Sequence, residues 1–509
     1  MATIVPMTIS RRLFLIRSVA LASTVYAAPS FKKNPFSLGV MSGDPSPDGF
    51  VLWTRLAPDP FNGGGMDKAA VEVEWVVAED ESLRRVVKKG KATAAPGLAH
   101  SVHIEVGGLK SQRPYWYRFR VGMEASPIGR ASTTPRPGDS LPRLKFAFAS
   151  CQHWEAGLWT AYEHMLADNP DLVVHLGDYI YEGSPRETGV RKHNSPEIIS
   201  LSDYRNRHAL YKTDPAIQKM HAHCPWILTW DDHEVDNNYA GDVPEDNQTR
   251  EAFLERRANA YQAYYEHMPL RFSSLPQGTK MQLYRSVKYG SLAEFTVLDT
   301  RQYRTDQPCG DGTKAPCPRV YDPKGTILGD AQEARVKRSL DQSRARWNII
   351  ANQVMMARVD LAPGPQEMLS MDQWSGYEVC RNRMMNFLAD RKPSNPIVIT
   401  GDIHSNWVND LRVDWKNEKS AVVGSEFVGT SISSGGDGAD ERPNTQAWYQ
   451  ERPHLKMFNG RRGYVTIMLN EAQCRADYRI VPFVTKPGAP VATHSSWLVE
   501  HNRRGVQKI

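Results

Sequence analysis

The sequence predicts an α/β protein in which an N-terminal β-sandwich domain is followed by a larger domain of layered sheets and helices. Residues 36–136 contain short runs of alternating apolar and polar residues, with no helical period between them. After a Pro/Gly-rich linker, short apolar runs alternate with helix-like segments from residue 144 onward. The 509 residues also exceed the length of about 250–300 that one hydrophobic core usually supports. We therefore assign residues 31–138 to the first domain and residues 139–509 to the second.

Residues 1–30 have the features of an export signal. The segment Ser10-Arg11-Arg12-Leu13-Phe14-Leu15 resembles the twin-arginine motif, residues 13–28 are largely apolar, and Val25-Tyr26-Ala27 offers a small-residue cleavage site. Arg17 interrupts the apolar stretch, which argues against a membrane anchor of about 20 residues. We expect a signal peptide that uses the twin-arginine export machinery and delivers the chain to the periplasm or the exterior. Because this route commonly carries folded proteins, it also suggests a cofactor inserted before export.

The first domain is predicted from its alternating runs. Val71–Val77 and Tyr115–Val121 alternate apolar with polar or charged side chains, as antiparallel strands with one buried face do. Gly, Pro and Asp separate these runs, so a small sandwich of immunoglobulin or fibronectin type is the simplest architecture. The Pro/Gly/polar linker Thr133–Ser140 marks the boundary at residues 138 and 139.

Composition and charge exclude several classes of protein. The chain is 40% hydrophobic and 24% charged, which is ordinary for a folded globular protein. The net charge of +6 is dispersed among 57 acidic residues, so no nucleic-acid-binding surface is evident. Among the six cysteines, Cys309 and Cys317 bracket a short Gly/Asp/Lys/Pro loop and are expected to form a disulfide bond.

Polar side chains follow five apolar runs of the second domain, and these runs are its predicted strands. The five transitions are Lys145–Ser150 into Cys151, Asp171–Leu176 into Gly177-Asp178-Tyr179-Ile180-Tyr181, Trp226–Trp230 into Asp231-Asp232-His233-Glu234, Trp347–Ala351 into Asn352-Gln353, and Pro396–Thr400 into Gly401-Asp402-Ile403-His404. Helix-like segments, among them Thr160–Asp168 and Glu251–His267, lie between the runs.

Side chains at the carboxyl ends of strands in one sheet converge on one edge, where open α/β folds usually bind ligands. The joint presence of thiol, phenol, carboxylate, imidazole and amide groups there favours metal binding over a set of separate turn and cap roles. Thiolate, phenolate and carboxylate are anionic donors that favour Fe(III), whereas carboxylate and amide oxygens suit Ca2+, Mg2+ or Mn2+. The sequence therefore predicts a mixed-metal site of the kind that holds a hydroxide nucleophile and orients a phosphoryl group.

Several motifs follow one another along the chain. They are Ser150-Cys151-Gln152, Gly177-Asp178-x-x-Tyr181, Trp230-Asp231-Asp232-His233-Glu234 and Gly401-Asp402-x-His404, together with Gly39–Gly49 and Val51–Arg55 in the first domain. With these motifs the chain resembles the PhoD-type alkaline phosphatase family, and its Asp-x-x-Tyr element is similar to that of purple acid phosphatases. The resemblance covers residues 36 to at least 470, and it implies a metallophosphoesterase-like second domain.

The resemblance also implies a role for each residue. Iron is expected on Cys151, Asp178, Tyr181 and His404, and Asp178 is expected to bridge to a second, harder metal such as calcium. That second metal is expected on Asp232, Gln353 and Asp402, with Mg2+ or Mn2+ as alternatives to Ca2+. Asp231 is the alternative to Asp232, and Asn238 is a candidate additional ligand, because the wider metallophosphoesterase pattern has an Asn-His pair where this chain has Asp232-His233.

These features predict a phosphoric ester hydrolase, an alkaline phosphatase or phosphodiesterase that attacks phosphate monoesters, and diesters as a second class, with a metal-bound hydroxide. His233 lies beside acidic residues, which raise the pKa of a histidine, so it is expected to protonate the leaving oxygen. The alternatives are a phospholipase D-like phosphodiesterase and an exported binding protein with a degenerate site.

Two further segments leave alternatives open. Asp299 and Arg301 follow another apolar run and are candidates either for contacts to ligands and phosphate or for a structural salt bridge. Gly429–Gly436 is rich in Gly and Ser but lacks the Gly-Lys-Ser/Thr ending of a phosphate-binding loop. We expect it to form a loop at the rim of the site.

Overall fold

The computed structural model describes residues 30–509, and the predicted signal peptide therefore lies, apart from Ser30, outside the described residues. The α-helices of the described part are α1 (Thr160–Asp168), α2 (Leu201–Lys212), α3 (Pro215–His223), α4 (Arg250–His267), α5 (Gly329–Gln342), α6 (Glu378–Arg391) and α7 (Thr445–Glu451). The predicted helices at residues 160–168 and 251–267 are confirmed by α1 and α4.

The strands fall into a group before residue 139 and a larger group after it. The first group is β1 (Val40–Ser46), β2 (Gly49–Arg55), β3 (Val71–Ala78), β4 (Val86–Ala94), β5 (Ser101–Val106), β6 (Pro114–Val121), β7 (Glu124–Ala125) and β8 (Gly129–Ser132). The second group is β9 (Arg143–Ala149), β10 (Leu172–His175), β11 (Trp226–Leu228), β12 (Arg285–Tyr289), β13 (Ala293–Val297), β14 (Thr313–Lys314), β15 (Trp347–Ala351), β16 (Leu369–Ser370), β17 (Pro396–Thr400), β18 (Asn406–Arg412), β19 (Val422–Val428), β20 (Gly438–Ala439), β21 (Leu455–Asn470), β22 (Gln473–Val481), β23 (Ala492–Glu500) and β24 (Gln507–Lys508).

Two mixed sheets form the centre of the molecule. The order of the first is β5-β2-β1-β11-β10-β9-β21-β22-β23-β24, and the order of the second is β12-β13-β15-β17-β19-β18-β21. Strand β21 is long enough to belong to both, because its first part pairs with β18 and its later part with β9 and β22. The strands that carry the predicted site residues, β9, β10 and β11 in one sheet and β15 and β17 in the other, pair in parallel.

The two sheets pack face to face, with helices on both outer sides. Phe146 and Phe148 of β9 belong to the core between the sheets, together with Ile349 and Ile397 of the second sheet. Ala147 and Ala149, which alternate with these two phenylalanines, belong to the core beneath α1–α4. Helices α5, α6 and α7 cover the outer face of the second sheet. The alternation of large and small side chains along β9 therefore fits a strand buried on both faces.

Local sequence explains where the helices begin. The Thr249 hydroxyl accepts a hydrogen bond from the Ala252 amide at the start of α4, and the Asp214 carboxylate accepts from two amides at the start of α3. Pro215 then occupies the first turn of α3, where its missing N–H group is not needed. The helices that cover the first sheet thus begin at residues that satisfy their free amides.

The N-terminal part is the expected β-sandwich. Its outer sheet has the order β4-β3-β6-β7, with β8 also paired to β6. Side chains of that sheet, including Val73 and Tyr117, share a core with Phe50 and Leu52 of β2. The second layer, β1, β2 and β5, continues directly into the first central sheet, because β1 pairs in parallel with β11 at Gly43 and Trp226. Within residues 30–509 no helix is both long and apolar enough to cross a membrane.

Candidate metal centre

The predicted site residues meet at the carboxyl ends of the parallel strands. Cys151 follows β9, Asp178 and Tyr181 follow β10, and Asp232 follows β11, all in the first sheet. Gln353 follows β15, and Asp402 and His404 follow β17, in the second sheet. Because β21 joins the two sheets and their faces pack together, both sets of strand ends lie at one end of the molecule.

One group of side chains consists of the four ligands predicted for iron. The Cys151 Sγ atom, an Asp178 carboxylate oxygen and a His404 ring nitrogen all lie within 4.8 Å of one another. The Tyr181 hydroxyl lies 2.8 Å from Asp178 Oδ2 and 3.2 Å from His404 Nε2. The structure thus brings together one thiol, one phenol, one carboxylate and one imidazole, which is the donor set that the sequence predicted for this position.

A second group is rich in carboxylates. Oxygen atoms of Asp231, Asp232 and Asp402 lie within 4.8 Å of one another, and ligand atoms of Asp178, Asp232 and His233 form an overlapping group. Asp178 therefore has neighbours in both groups, as a bridging ligand requires. Asp231 lies in the same group as Asp232, so both aspartates that the sequence offered as alternatives are near the second position.

Whether these residues fit a cation can be judged from their carboxylates, which are buried and include oxygens without hydrogen-bond partners. Asp178 Oδ1, Asp231 Oδ2 and Asp232 Oδ1 are buried and have no hydrogen-bond partner among the described residues. Burial raises the pKa of Asp178 and of Asp231 well above the ordinary range, although the charges of His233 and Arg301 respectively oppose it. Burial with the charge of Asp372 raises the pKa of Asp402 to about 6. Buried carboxylate oxygens without hydrogen-bond partners cost free energy unless cations bind them, so the residues fit bound metal ions.

Arg301 supplies part of the compensating charge. Its fully buried guanidinium lies 2.5 Å from Asp231 Oδ1, 2.7 Å from Asp372 Oδ1 and 3.3 Å from Asp402 Oδ1. Burial would raise the pKa of Asp232, but the charges of Arg301 and His233 outweigh it and lower that pKa below the ordinary range. Arg301 therefore forms a buried salt bridge, and its partners include the predicted ligands Asp232 and Asp402, so the two roles that the sequence left open for it coincide.

His233 is held by a carboxylate that the sequence analysis did not single out. Its Nδ1 atom lies 2.7 Å from Glu182 Oε2, and the other Glu182 oxygen accepts a hydrogen bond from the Asn237 amide. Burial would lower the pKa of His233, but the charges of Glu182, Asp232 and Asp178 outweigh it and raise that pKa well above the ordinary value. The centroid of its ring lies 4.1 Å from that of Tyr181, so the imidazole packs against the ring of a predicted iron ligand.

Gln353, a predicted ligand of the second metal, already has hydrogen-bond partners within the protein. The Gln353 carbonyl oxygen accepts a hydrogen bond from Thr300 at 2.8 Å, and its NH2 group donates to Thr229 and Leu298. As a metal ligand, Gln353 would therefore use the second lone pair of an oxygen that is already engaged.

Asn238, the candidate additional ligand, is hydrogen-bonded to Asp232 of the second group. Its amide donates to Asp232 Oδ2, and its side chain donates to Asp311 Oδ2, both at 2.7 Å. Asp311 belongs to the loop that the predicted disulfide bond between Cys309 and Cys317 closes, and this bond is confirmed. The loop therefore reaches Asn238 beside the carboxylate group.

The Gly429–Gly436 segment lies against Cys151. The amides of Ser433 and Ser434 donate to the Cys151 carbonyl, and the Ser434 hydroxyl lies 2.7 Å from both that carbonyl and the Tyr181 oxygen. Ser431 also lies beside Ser150 in an isolated parallel bridge. The segment borders the predicted iron position, as expected, but its serines are buried beside the site instead of lying at an open rim.

Four residues near the centre escaped the sequence analysis: Glu182, Asp372, Gln373 and Ser434. Glu182 directly follows Tyr181, so its position next to a predicted ligand was an available signal. Asp372 pairs with Arg301, and Gln373 donates to Asp402 Oδ2, but both follow the two-residue strand β16 instead of a long apolar run. Ser434 lies in the Gly/Ser-rich segment, where composition alone does not distinguish one serine from the next.

Comparisons with known proteins show which family the chain resembles. The family model "PhoD-like phosphatase, N-terminal domain" matches residues 20–135, and the model "PhoD-like phosphatase" matches residues 146–478. Alkaline phosphatase D of Bacillus subtilis (strain 168) is 52% identical over 493 residues, which are 96% of this chain and 85% of that protein. A solved structure of PhoD matches with a TM-score of 0.93 and 52% identity, covering 95% of this chain and 93% of that chain. The second matched range includes every residue of the centre described above.

Proposed function

The chain belongs to the PhoD-like phosphatase family and is a phosphoric ester hydrolase, and from this premise we propose that it is an exported, metal-dependent enzyme that hydrolyses phosphate monoesters, with diesters as a second substrate class. The observation that carries the metal dependence is the group of buried carboxylate oxygens without hydrogen-bond partners among the described residues, Asp178 Oδ1, Asp231 Oδ2 and Asp232 Oδ1. Arg301 Nη2 lies 3.5 Å from the last of them.

We assign Fe(III) to Cys151, Asp178, Tyr181 and His404, because their donors are anionic or imidazole groups and converge. The second position, with Asp178, Asp232, Gln353 and Asp402, suits Ca2+, and Mg2+ or Mn2+ are the alternatives. When bound, the two metals would supply Lewis acidity and activate a water molecule for in-line attack on phosphorus.

We assign His233 as the general acid that protonates the leaving group. Its Nδ1 atom is engaged by Glu182 at 2.7 Å, which leaves Nε2 as the atom that delivers a proton. Glu182 is itself fixed by the Asn237 amide, so the ring has a defined orientation. Against the effect of burial, the charge of Glu182, which is not a proposed metal ligand, raises the pKa of His233 and favours the protonated imidazole that an acid needs.

Parallel assays test the substrate class and the second metal together. We expect turnover of p-nitrophenyl phosphate and slower turnover of bis(p-nitrophenyl) phosphate by the metal-loaded protein. A calcium-selective chelator should abolish both reactions while iron remains bound, and added Ca2+ should restore them. Preferential hydrolysis of phosphatidylcholine would instead indicate the phospholipase D-like alternative. A metal-loaded protein that hydrolyses none of the three would favour the degenerate binding protein.

Export is tested independently of catalysis. Residues 1–30 fused to a folded reporter should carry it through the twin-arginine machinery to the periplasm or the medium. Changing Arg11 and Arg12 together to Lys should retain the reporter in the cytoplasm. Export that survives the double change would refute the twin-arginine proposal.

A further inference from the structure

The Ser434 hydroxyl has an unusual position beside the predicted iron ligands. The residue is 1% exposed, and its Oγ atom lies 2.7 Å from the Tyr181 oxygen and 2.7 Å from the Cys151 carbonyl oxygen. The His153 amide donates to the same Oγ atom at 3.2 Å. One hydroxyl therefore contacts the oxygen of one predicted ligand and the backbone of another.

This hydroxyl has one proton and two oxygens to which it can donate. The Cys151 carbonyl does not depend on it, because the amides of Ser434 and Ser433 also donate to that carbonyl, at 3.2 and 3.4 Å. The Tyr181 oxygen is different. A tyrosine that binds a metal has given up its hydroxyl proton, so its oxygen accepts hydrogen bonds and can no longer donate one.

The other close neighbours of the Tyr181 oxygen offer no proton. They are Asp178 Oδ2 at 2.8 Å and His404 Nε2 at 3.2 Å, and both residues are ligands in the proposed centre. An ionised carboxylate has no proton, and a ring nitrogen that binds a metal has none either. Among the hydrogen-bond contacts of this oxygen within residues 30–509, Ser434 is thus the one remaining donor.

We infer that Ser434 donates a hydrogen bond to the Tyr181 phenolate when this oxygen binds iron, and that it acts as a positioning residue that fixes and tunes this ligand. The inference rests on the iron assignment made above. A hydrogen bond from a hydroxyl to an anionic oxygen is short and strong, and the 2.7 Å separation suits it. The bond withdraws electron density from the phenolate, so less is donated to the metal.

The hydrogen bond from Ser434 should affect the visible absorption spectrum of the iron-loaded protein. A phenolate bound to Fe(III) absorbs visible light as charge moves from the ligand to the metal, and a hydrogen bond to the phenolate raises the energy of that transition because it stabilises the donor electrons. Without Ser434 the transition should need less energy. The absorption band of Ser434→Ala should therefore lie at a longer wavelength than that of the wild type.

Ser433→Ala is the matched control. Ser433 is the adjacent buried serine, but its hydroxyl donates to the His153 carbonyl and accepts from Trp159 Nε1 instead of contacting Tyr181. Each variant loses one buried hydroxyl from the same segment. Iron content and the visible spectrum would be measured on iron-loaded wild type, Ser434→Ala, Ser433→Ala and Tyr181→Phe, with resonance Raman spectroscopy to identify tyrosinate vibrations.

The expected result is a shift to longer wavelength in Ser434→Ala, with iron still bound, and the wild-type band position in Ser433→Ala. An unshifted band in iron-loaded Ser434→Ala, or an equal shift in both serine variants, would overturn the inference while leaving the iron assignment intact. If iron-loaded wild type shows no tyrosinate vibration that Tyr181→Phe removes, the iron assignment fails and the inference fails with it.

A measurement on the wild type keeps the test decisive if Ser434→Ala does not fold. Exchange into D2O replaces the hydroxyl proton of Ser434 with deuterium and should shift the carbon–oxygen stretching frequency of the Tyr181 tyrosinate. A frequency that is identical in H2O and D2O would exclude an exchangeable donor on this oxygen and would refute the proposed role of Ser434.

Discussion

Four predicted ligands have a backbone conformation that side chains seldom adopt. The φ angles are +59° at Cys151, +54° at Asp178, +62° at Asp402 and +54° at His404. A left-handed conformation of a residue other than glycine costs roughly 1–3 kcal/mol and persists where the surrounding structure enforces it. At Cys151 the surroundings include hydrogen bonds from its amide to Gly177 and to its carbonyl from the Gly/Ser-rich segment. The concentration of such residues at the predicted centre supports a functional role for their placement.

The proposed role of His233 predicts a dependence on the leaving group. Changing His233 to Asn removes the proton donor, so hydrolysis of an alkyl phosphate should slow by about 10²–10⁴-fold, the usual contribution of general acid catalysis. Hydrolysis of p-nitrophenyl phosphate should slow far less, because p-nitrophenolate leaves without a proton. The measurement is kcat/KM for both substrates.

Two further variants show whether the loss of activity in His233→Asn comes from the loss of the proton donor. Glu182→Gln should show the same leaving-group dependence with a smaller loss, because it disturbs the orientation of His233 and keeps the imidazole. His223→Asn, at an exposed contact with Asn169 away from the centre, should leave both reactions unchanged. Equal losses on both substrates in His233→Asn would show that His233 is not the proton donor.

The connection between β10 and Asp178 is the element on which the two proposed metal positions depend. Gly177 has a φ of +115°, and a Cβ atom at this residue would lie 2.4 Å from the Asp231 amide nitrogen. The turn after β10 therefore packs directly on the turn after β11. Glu234 strengthens this contact, because its carboxylate accepts hydrogen bonds from the amides of Asp178, Tyr179 and Asp231.

Gly177→Ala should consequently separate the two turns. The added methyl group clashes with the Asp231 backbone and adds about 1–3 kcal/mol of backbone strain, so metal content and activity should fall together. Gly183→Ala is the control in the loop that follows, because a Cβ atom there would meet nothing within 4 Å. Metal analysis and thermal unfolding of both variants check the prediction, and normal metal content in Gly177→Ala would contradict it.

The position of a site residue in a strand or in an irregular segment decides whether a sequence pattern can predict it. Cys151, Asp178, Asp402 and their partners could be found because each follows a buried parallel strand, and parallel strands end at the same edge. Asp372 and Ser434 lie in irregular segments, where no period indicates which side chain turns toward the centre. The role of Arg301 also needed coordinates, because only the distances identify the carboxylates with which its buried guanidinium pairs.

At the scale of the whole molecule, the N-terminal sandwich and the catalytic layers share a sheet. Trp53 of β2 is fully buried in the core beneath α1–α4, and its Nε1 atom donates to the Glu266 carbonyl at 2.9 Å. Arg55 of the same strand contacts His267 at 2.8 Å. The sequence predicted the sandwich and its linker but could not predict this continuity, because alternating runs identify strands without identifying their partners.

This continuity predicts the outcome of dividing the chain at the linker. A chain that begins at residue 139 would leave β11 without its neighbour β1 and would expose the part of the core that Trp53 occupies. Because an open strand edge and a large apolar cavity both favour aggregation over folding, this chain should be insoluble or lack cooperative unfolding. A chain that begins at residue 30 is the control and should fold, because it retains β1, β2 and β5. Circular dichroism and thermal unfolding distinguish the two, and a soluble, cooperatively unfolding, active chain from residue 139 onward would mean that the shared sheet is dispensable for the catalytic layers.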